Sequence, residues 1–331
     1  MDSRLKQLKH WLNNELGIHV SSIVPASSDA SFRRYFRIVD NGETFIVMDA
    51  PPDKEGCAPF IKISRAMAGF GLNVPRVLQQ DLAQGFLLLT DLGSEQYLPY
   101  LNDTSADALY RDAMDALIAL QVRGQQSHET LPRYHRQRLM DEMNLFCEWF
   151  VEKHLGVTLK TSQQTVIDDA FDYLAASALA QPQVWVHRDY HSRNLMRCNK
   201  NNPGILDFQD AVIGAVTYDL VSLLKDCYIA WPREQIECWV MAYQAKALHA
   251  GVTGIEDARQ LLYWFDAMGA QRHIKVLGIF SRLNIRDGKP GYLKDMPRVL
   301  GYLIDACERI PALSDFKTLL HGITHARAMD E

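Results

Sequence analysis

His187-Arg188-Asp189-Tyr190-His191-Ser192-Arg193-Asn194, followed by Ile205-Leu206-Asp207-Phe208-Gln209-Asp210, is the stretch on which the fold of this chain turns. The first segment spells H-x-D-x-x-x-x-N, and the second places another acid after an apolar run. Short β-like runs frame both. Val184-Trp185-Val186 enters the first loop, Asn194-Leu195-Met196 leaves it, and Gly204-Ile205-Leu206 leads to Asp207. Three oxygen-bearing side chains thus fall at the ends of short strands joined by tight turns. The spacing from Asp189 to Asp207 leaves room for one hairpin.

That pattern suits phosphoryl transfer. Mg²⁺ takes oxygen ligands, commonly one or two from the protein, with water and phosphate oxygens supplying the rest. Asn194 and Asp207 offer an amide oxygen and a carboxylate of that kind. Asp189 supplies a second carboxylate, the group that aligns an acceptor hydroxyl and takes its proton. Protein kinases place the same residue types at this spacing, but Gln209 follows Asp207-Phe208 where they have glycine. The plainer alternative is a pair of buried hairpin acids with local hydrogen bonds. Two motifs in this order and spacing weigh against it.

Asp-Phe-x-Asp behind such a loop resembles the aminoglycoside phosphotransferase (choline kinase-like) superfamily. The resemblance spans nearly the whole chain. Its anchors are Asp29-Ala30-Ser31-Phe32-Arg33-Arg34-Tyr35-Phe36, Met48-Asp49-Ala50-Pro51-Pro52, Asp91-Leu92-Gly93, the two motifs above and Gln271-Arg272-His273. This set is similar to a bacterial branch that includes the anomeric kinases of N-acetylmuramate and N-acetylglucosamine in peptidoglycan recycling. The resemblance implies an α+β, bilobal protein kinase-like fold. A small β-rich N-terminal lobe would occupy residues 1–92 and end in the hinge, and a large, mainly helical lobe, residues 93–331, would carry catalysis and acceptor binding.

It also implies roles. Asp189 would be the catalytic residue, orienting the sugar's anomeric hydroxyl. Asn194 and Asp207 would hold Mg²⁺ against ATP. Thr90, Asp91 and Leu92 close the hinge, whose backbone would meet the adenine edge. His187 and Asp219 would support the loop from below, although Asp219 also suits ordinary capping of its helix. The late helix containing Arg272 and His273 would wall the acceptor pocket, with Arg272 meeting an anionic group. Buried cations need partners, so an internally paired or partly exposed helix is the alternative.

The N-terminal hairpin departs from the kinase pattern. Glycines that let backbone approach phosphates are missing from its turn. Ser28, Ser31, Arg33 and Arg34 would supply donors and positive charge instead, or the hairpin faces solvent and its arginines only solubilise it. Met48 stands where the return strand ordinarily ends in lysine. Lys54, Arg33 or Arg34 would take over its role. Around this hairpin the periodicities give an amphipathic helix over residues 1–17, a helix from Phe60 to Met67, and strands at 74–78 and 85–90. Asn41-Gly42 is a hairpin signal. That makes two strands, a helix and two further strands.

Composition narrows the classes. Lys and Arg total 35 against 40 Asp and Glu, so no basic footprint for nucleic acid exists. The six cysteines are scattered without C-x-x-C pairs and read as reduced thiols. No apolar run approaches the ~20 residues of a membrane span, and the N-terminus is not a signal peptide. The expectation is a cytoplasmic ATP- and Mg²⁺-dependent kinase of a small, amino-sugar substrate, without nucleic-acid or membrane partners. Kinases of aminoglycosides or amino alcohols, and a nucleotide-binding pseudokinase supported by Met48, stay open beside it.

Overall fold

The computed structural model describes residues 2–20, 22–27 and 32–328. Ser28 and Ser31, expected at the phosphates, lie outside the described residues. From the N-terminus run α1 (Ser3–His10, extended by one wider turn over Trp11–Glu15), β1 (Ile23–Ser27), β2 (Arg34–Asp40), β3 (Glu43–Asp49), α2 (Ala58–Gly69), β4 (Val77–Asp81) and β5 (Phe86–Thr90). Then come α3 (Ala106–Gln125), α4 (Arg136–Leu145) and α5 (Thr161–Ala180). Four short strands follow: β6 (Gln183–Val186), β7 (Leu195–Met196), β8 (Gly204–Ile205) and β9 (Val212–Ala215). The rest is α6 (Tyr218–Leu224), α7 (Arg233–Ala250), α8 (Ala258–Ile285), α9 (Met296–Arg309) and α10 (Ser314–Ala328). No helix among the described residues is long and apolar enough to cross a membrane. All six cysteines are free thiols.

The chain forms two compact units, Met1–Pro99 with Asn194–Asp210, and Tyr100–Arg193 with Ala211–Glu331. The first is built on a five-stranded antiparallel sheet in the order β1-β2-β3-β5-β4. Asn41-Gly42 turns β2 into β3 with both residues in the left-handed region, at φ 49° and 83°, as a tight hairpin turn requires. β1 is a strand that the pattern of residues does not announce, because Pro25 breaks its run. It occupies the sheet edge, where a missing N–H costs no ladder bond. β4 begins at Val77, later than expected, since Pro75 holds the preceding segment out of the ladder.

Register divides the sheet's faces. Arg34, Phe36 and Ile38 pair with Asp49, Val47 and Phe45, and these side chains share one face. Leu8, Trp11 and Leu12 of the N-terminal helix pack on that face against Phe36, Ile38, Val47, Phe86 and Leu88. Asp49 is fully buried there and accepts from both Arg4 and Arg34. The N-terminal helix is therefore a docked amphipathic helix, fixed by an apolar cluster and an ion pair. β7 and β8 join this unit because they pair with each other and bridge to Gln96 and Asn73.

The second unit is mainly helical. Its centre is α8, in which nearly every residue from Phe265 to Leu283 is buried. A helix buried on every side has other elements packed all around it, and its polar residues must find partners among them. Gly278 makes one of those crossings close: a Cβ there would lie 2.4 Å from the Leu145 carbonyl carbon. β6 and β9 form a two-stranded ribbon in the same unit and carry the loop that starts at His187.

Trp11 is 2 % exposed and its ring lies 5.8 Å from that of Phe86. Trp11→Ala should cost about 3 kcal/mol or more in urea denaturation, the range for a truncated buried aromatic. It should also speed amide exchange in β2 and β3, whose apolar face the helix covers. A loss below about 1 kcal/mol would mean that the helix is not part of the cooperative unit.

Candidate active site

The loop after β6 is held from beneath by Asp219. This residue is 1 % exposed, and its two carboxylate oxygens accept from the consecutive amides of His187 (2.6 Å) and Arg188 (2.9 Å). The clamp has work to do, because Arg188 sits at φ 82°, a region that costs a non-glycine residue about 1 kcal/mol or more. Burial pushes the Asp219 carboxyl up to about 7, against the two amides that favour its charged form. His187 is also buried, and its Nδ1 accepts from the Asp189 amide at 3.2 Å. His187 and Asp219 thus stand where support of the loop requires them.

Asp189 keeps 41 % of its side-chain surface open, although protein surrounds its base. Burial alone would raise its pKa. Lys275 and Arg272 outweigh that and hold the carboxyl at about 2. Arg272 approaches Asp189 Oδ1 at 4.0 Å and donates to the Arg188 carbonyl at 3.2 Å. Its guanidinium lies over the Tyr218 ring and is 3 % exposed. His273 is farther from reach. Its ring is fully buried, stacked on Tyr302 and 3.1 Å from the Lys225 carbonyl, and burial together with Lys225 holds it neutral at about 3.

Behind the loop lies a carboxylate that the sequence does not single out. Glu142 on α4 accepts from Arg188 Nη2 at 2.5 Å, from Lys275 Nζ at 2.8 Å and from the Tyr134 hydroxyl. Lys275 Nζ also donates to the Tyr218 hydroxyl at 3.1 Å. Burial would raise the Glu142 pKa, but Lys275 and Arg188 outweigh it and the pKa is lowered. In sequence, Glu142 shows only an i,i+4 spacing to Arg138. That signal marks a surface pair as readily as a site.

The first unit holds the other motif. Asn194 and Asp207 meet there, with Asn194 Nδ2 at 3.4 Å from Asp207 Oδ2. Leu206 N donates to the Asn194 carbonyl at 2.9 Å, so the β7–β8 hairpin sets this proximity. Asp207, like Arg188, is a non-glycine residue in the left-handed region, at φ 63°. Gln209 Nε2 donates to Asp207 Oδ1 at 2.7 Å, while its buried Oε1 has no partner among the described residues. Phe208 is buried and packs on Phe60 at 4.9 Å, which anchors the turn. A carboxylate with an amide side chain beside it offers oxygen donors of the kind that Mg²⁺ takes from a protein, with water and phosphate as its other ligands.

The N-terminal cations are already committed. Arg34 binds Asp49 and Asp2 on the α1 face. Arg33 pairs with Glu55 at 2.9 Å. Lys54 is 52 % exposed and lies 3.8 Å from Asp53. Met48 is fully buried on the opposite face from Asp49, beside Tyr35 and Leu87. At the end of β5, Thr90 Oγ1 accepts the Arg76 amide at 2.9 Å. Asp91 takes two bonds from Arg37 and one from the Gly93 amide, at 2.6, 3.0 and 2.9 Å. Gly93 turns the chain at φ 88°. A cleft of about 660 Å³ runs along Thr90 to Glu95 and the turn Arg197 to Lys200. It shares the hinge with the expected nucleotide site but reaches none of Arg33, Arg34, Asn194 or Asp207.

Comparison with known proteins agrees with the fold. Residues 22–259 match the model of the phosphotransferase enzyme family. The chain is 45 % identical to the N-acetylmuramate/N-acetylglucosamine kinase of Pseudomonas aeruginosa, over 97 % of each chain. It is 41 % identical to the protein of the same description in Neisseria meningitidis serogroup B, over 95 % of this chain and 94 % of that one. Among solved structures, ADP-bound aminoglycoside phosphotransferase APH(2″)-Ib superposes with a TM-score of 0.55 at 16 % identity, over 91 % of this chain and 98 % of that one.

Glu142→Gln removes the shared counter-charge of two buried cations and should cost about 3–5 kcal/mol in denaturant. The pH dependence has a definite sign. A depressed folded pKa stabilises above the unfolded value and stops doing so as pH falls through the folded one. The stability gap between wild type and Glu142→Gln should therefore be full at neutral pH and shrink below about pH 4.5. A gap that does not change with pH would remove the ion cluster from this role.

Proposed function

The chain belongs to the phosphotransferase enzyme family, and from that premise we propose that it is an ATP-dependent kinase acting on the anomeric hydroxyl of N-acetylmuramate and N-acetylglucosamine. The observation that carries the proposal is the likeness to kinases of these two sugars, at 45 % identity over 97 % of the chain. Family resemblance gives the reaction type, and Asp189 gives it a chemistry in this chain.

In the proposed reaction Asp189 accepts a hydrogen bond from the anomeric hydroxyl and turns its lone pair toward the γ-phosphorus. The new bond joins the sugar oxygen to phosphorus, the bond to the β-phosphate oxygen breaks, and the hydroxyl proton passes to Asp189 as it does so. A carboxylate held at about 2 is a weak base, so its main contribution is alignment, with proton uptake late in the transfer. Arg272 and Lys275 keep it ionised. Asn194 and Asp207 are the residues that would hold Mg²⁺. When bound, this ion offsets phosphate charge that otherwise repels the incoming oxygen. The hinge at Thr90 to Leu92 would take the adenine edge through its backbone.

One observation favours a second reading. Met48 puts a buried thioether where kinases carry a phosphate-binding lysine, as a chain that binds nucleotide without turnover would. Substrate charge separates the remaining kinases. An aminoglycoside is a polycation and needs a carboxylate-lined pocket, whereas Asp189 is ringed by Arg188, Arg272 and Lys275.

ATP consumption should rise with N-acetylmuramate or N-acetylglucosamine and stay at background with kanamycin, and mass spectrometry with ³¹P NMR should place the product phosphate on C1. Asp189→Asn should lower kcat roughly 100-fold or more with an unchanged circular-dichroism spectrum. Turnover of kanamycin alone would overturn the sugar assignment, nucleotide binding without transfer would favour the second reading, and a fully active Asp189→Asn would remove that residue from its role.

A further inference from the structure

Next to Asp189 the loop is stapled to a second segment of the same unit. Asp226 is 1 % exposed, and its carboxylate accepts from the Ser192 amide at 2.9 Å and the Tyr228 amide at 3.0 Å. One buried acid thus fixes residues 191–193 against Tyr228. An aromatic surface results. The His191 ring meets Tyr228 edge-on at 5.4 Å, Tyr228 adjoins Phe280 at 6.3 Å, and Phe280 adjoins Tyr292 at 5.0 Å. Arg193 lies across it, its guanidinium carbon 4.7 Å from the centre of the Tyr228 ring and 5.8 Å from that of Tyr292.

This arrangement suits a ligand that is both ringed and acidic. His191, Arg193, Tyr228 and Tyr292 are all partly open. The Arg193 guanidinium, like that of any arginine, is a cation throughout the neutral range. Its plane is set by the rings on which it rests, and a preset guanidinium loses less freedom when it grips a carboxylate. Arg272 is another cation beside Asp189, where Arg188 and Lys275 are paired with Glu142. It is 3 % exposed and donates to the Arg188 carbonyl, so its fork is turned into the protein. His191 N donates to the Asp189 carbonyl at 3.0 Å, so the platform begins two residues from the carboxylate assigned to the anomeric hydroxyl. The lactyl group of N-acetylmuramate is carried on O3, two ring carbons from C1. An acid for C1 and a cation four residues on in the same loop are the two groups that this acceptor needs.

We infer that Arg193, gripped by Tyr228 and Tyr292, is the residue that selects an acidic acceptor: its guanidinium meets the lactyl carboxylate of N-acetylmuramate while the tyrosine rings carry the C–H face of the pyranose. The inference rests on the sugar-kinase reading. A charge-assisted fork to a carboxylate is worth ten-fold or more in binding, about 1.4 kcal/mol per ten-fold. N-acetylglucosamine lacks the carboxylate and does not use the fork.

The test is steady-state kinetics of Arg193→Met and Arg193→Lys with both sugars and saturating ATP-Mg²⁺. In Arg193→Met the ratio of kcat/KM for N-acetylmuramate over N-acetylglucosamine should fall about ten-fold or more, through KM, and Arg193→Lys should recover part of it. A role confined to supporting the loop would lower kcat for both sugars alike and leave the ratio unmoved, which overturns the inference. Tyr292→Leu, on the turn Pro290–Asp295, is the second variant. It should raise KM for both sugars with little change in the ratio, and an unchanged KM for both would also overturn the inference. Wild type that turns over neither sugar would sink the sugar-kinase reading itself, whereas wild type active on both with an unmoved ratio in Arg193→Met would sink only the assignment of Arg193.

Discussion

A buried carboxylate shared by two cations sets the terms for the loop that carries Asp189. Glu142 holds Arg188 on one oxygen and Lys275 on the other, with both cations largely removed from water. Ions taken from water incur several kcal/mol each, which only close pairing and full hydrogen bonding offset. The cluster therefore tolerates little displacement. Arg188 precedes Asp189, and Lys275 with Arg272 dominates the field at the Asp189 carboxylate. The same contacts that make the cluster tolerable inside the protein thus fix the backbone before the acid and keep the acid charged. Asp219 does the complementary work on the backbone, binding the two amides of a turn that would not hold its left-handed residue unaided.

How much of this the sequence reveals depends on how local each interaction is. H-x-D-x-x-x-x-N and the acid after β8 are local features, set by one hairpin, and Asn194 and Asp207 do meet as their spacing implies. Asn41-Gly42 is legible because only a few residue types accept both left-handed positions. β1 is hidden by Pro25, whose meaning depends on whether a strand is central or at an edge, and that is a property of the whole sheet. Glu142 is hidden for a related reason. Its partners are 46 residues away at Arg188 and farther still on α8, and neither helix pattern shows which faces will be brought together. Arg272 and Lys275 are visible as cations in an apolar helix. Whether they face a substrate or a buried acid follows only from the packing.

Arg34 shows the same limit on a smaller scale. Alternation along β2 places Arg34 with Phe36 and Ile38, and the pairing with β3 sets it opposite Asp49. The motif pair Arg33-Arg34 and Met48-Asp49 thus carries a sheet-to-helix ion pair as well as whatever the hairpin turn does. The fold is the one that the family resemblance implies. A motif is a run of residues, however, and adjacent residues in a strand point to opposite faces, so one motif can serve two purposes.

Charge in the first unit follows from that division. Arg34 and Arg4 serve Asp49, Arg33 serves Glu55, and Arg37 serves Asp91 just after β5. Met48 adds none from β3. Each of these arginines already answers a carboxylate, and using one on a phosphate would mean giving up that pair. Asn194 and Asp207 have the opposite character: a carboxylate and an amide side by side, the acid in the left-handed region and next to it a phenylalanine that packs on Phe60. A triphosphate and a cluster of oxygens repel each other unless a cation joins them. The proposed kinase chemistry accordingly places more of its charge balance on an ion at Asn194 and Asp207 than on any side chain of the sheet, which is why a lysine missing from position 48 is compatible with turnover in this chain.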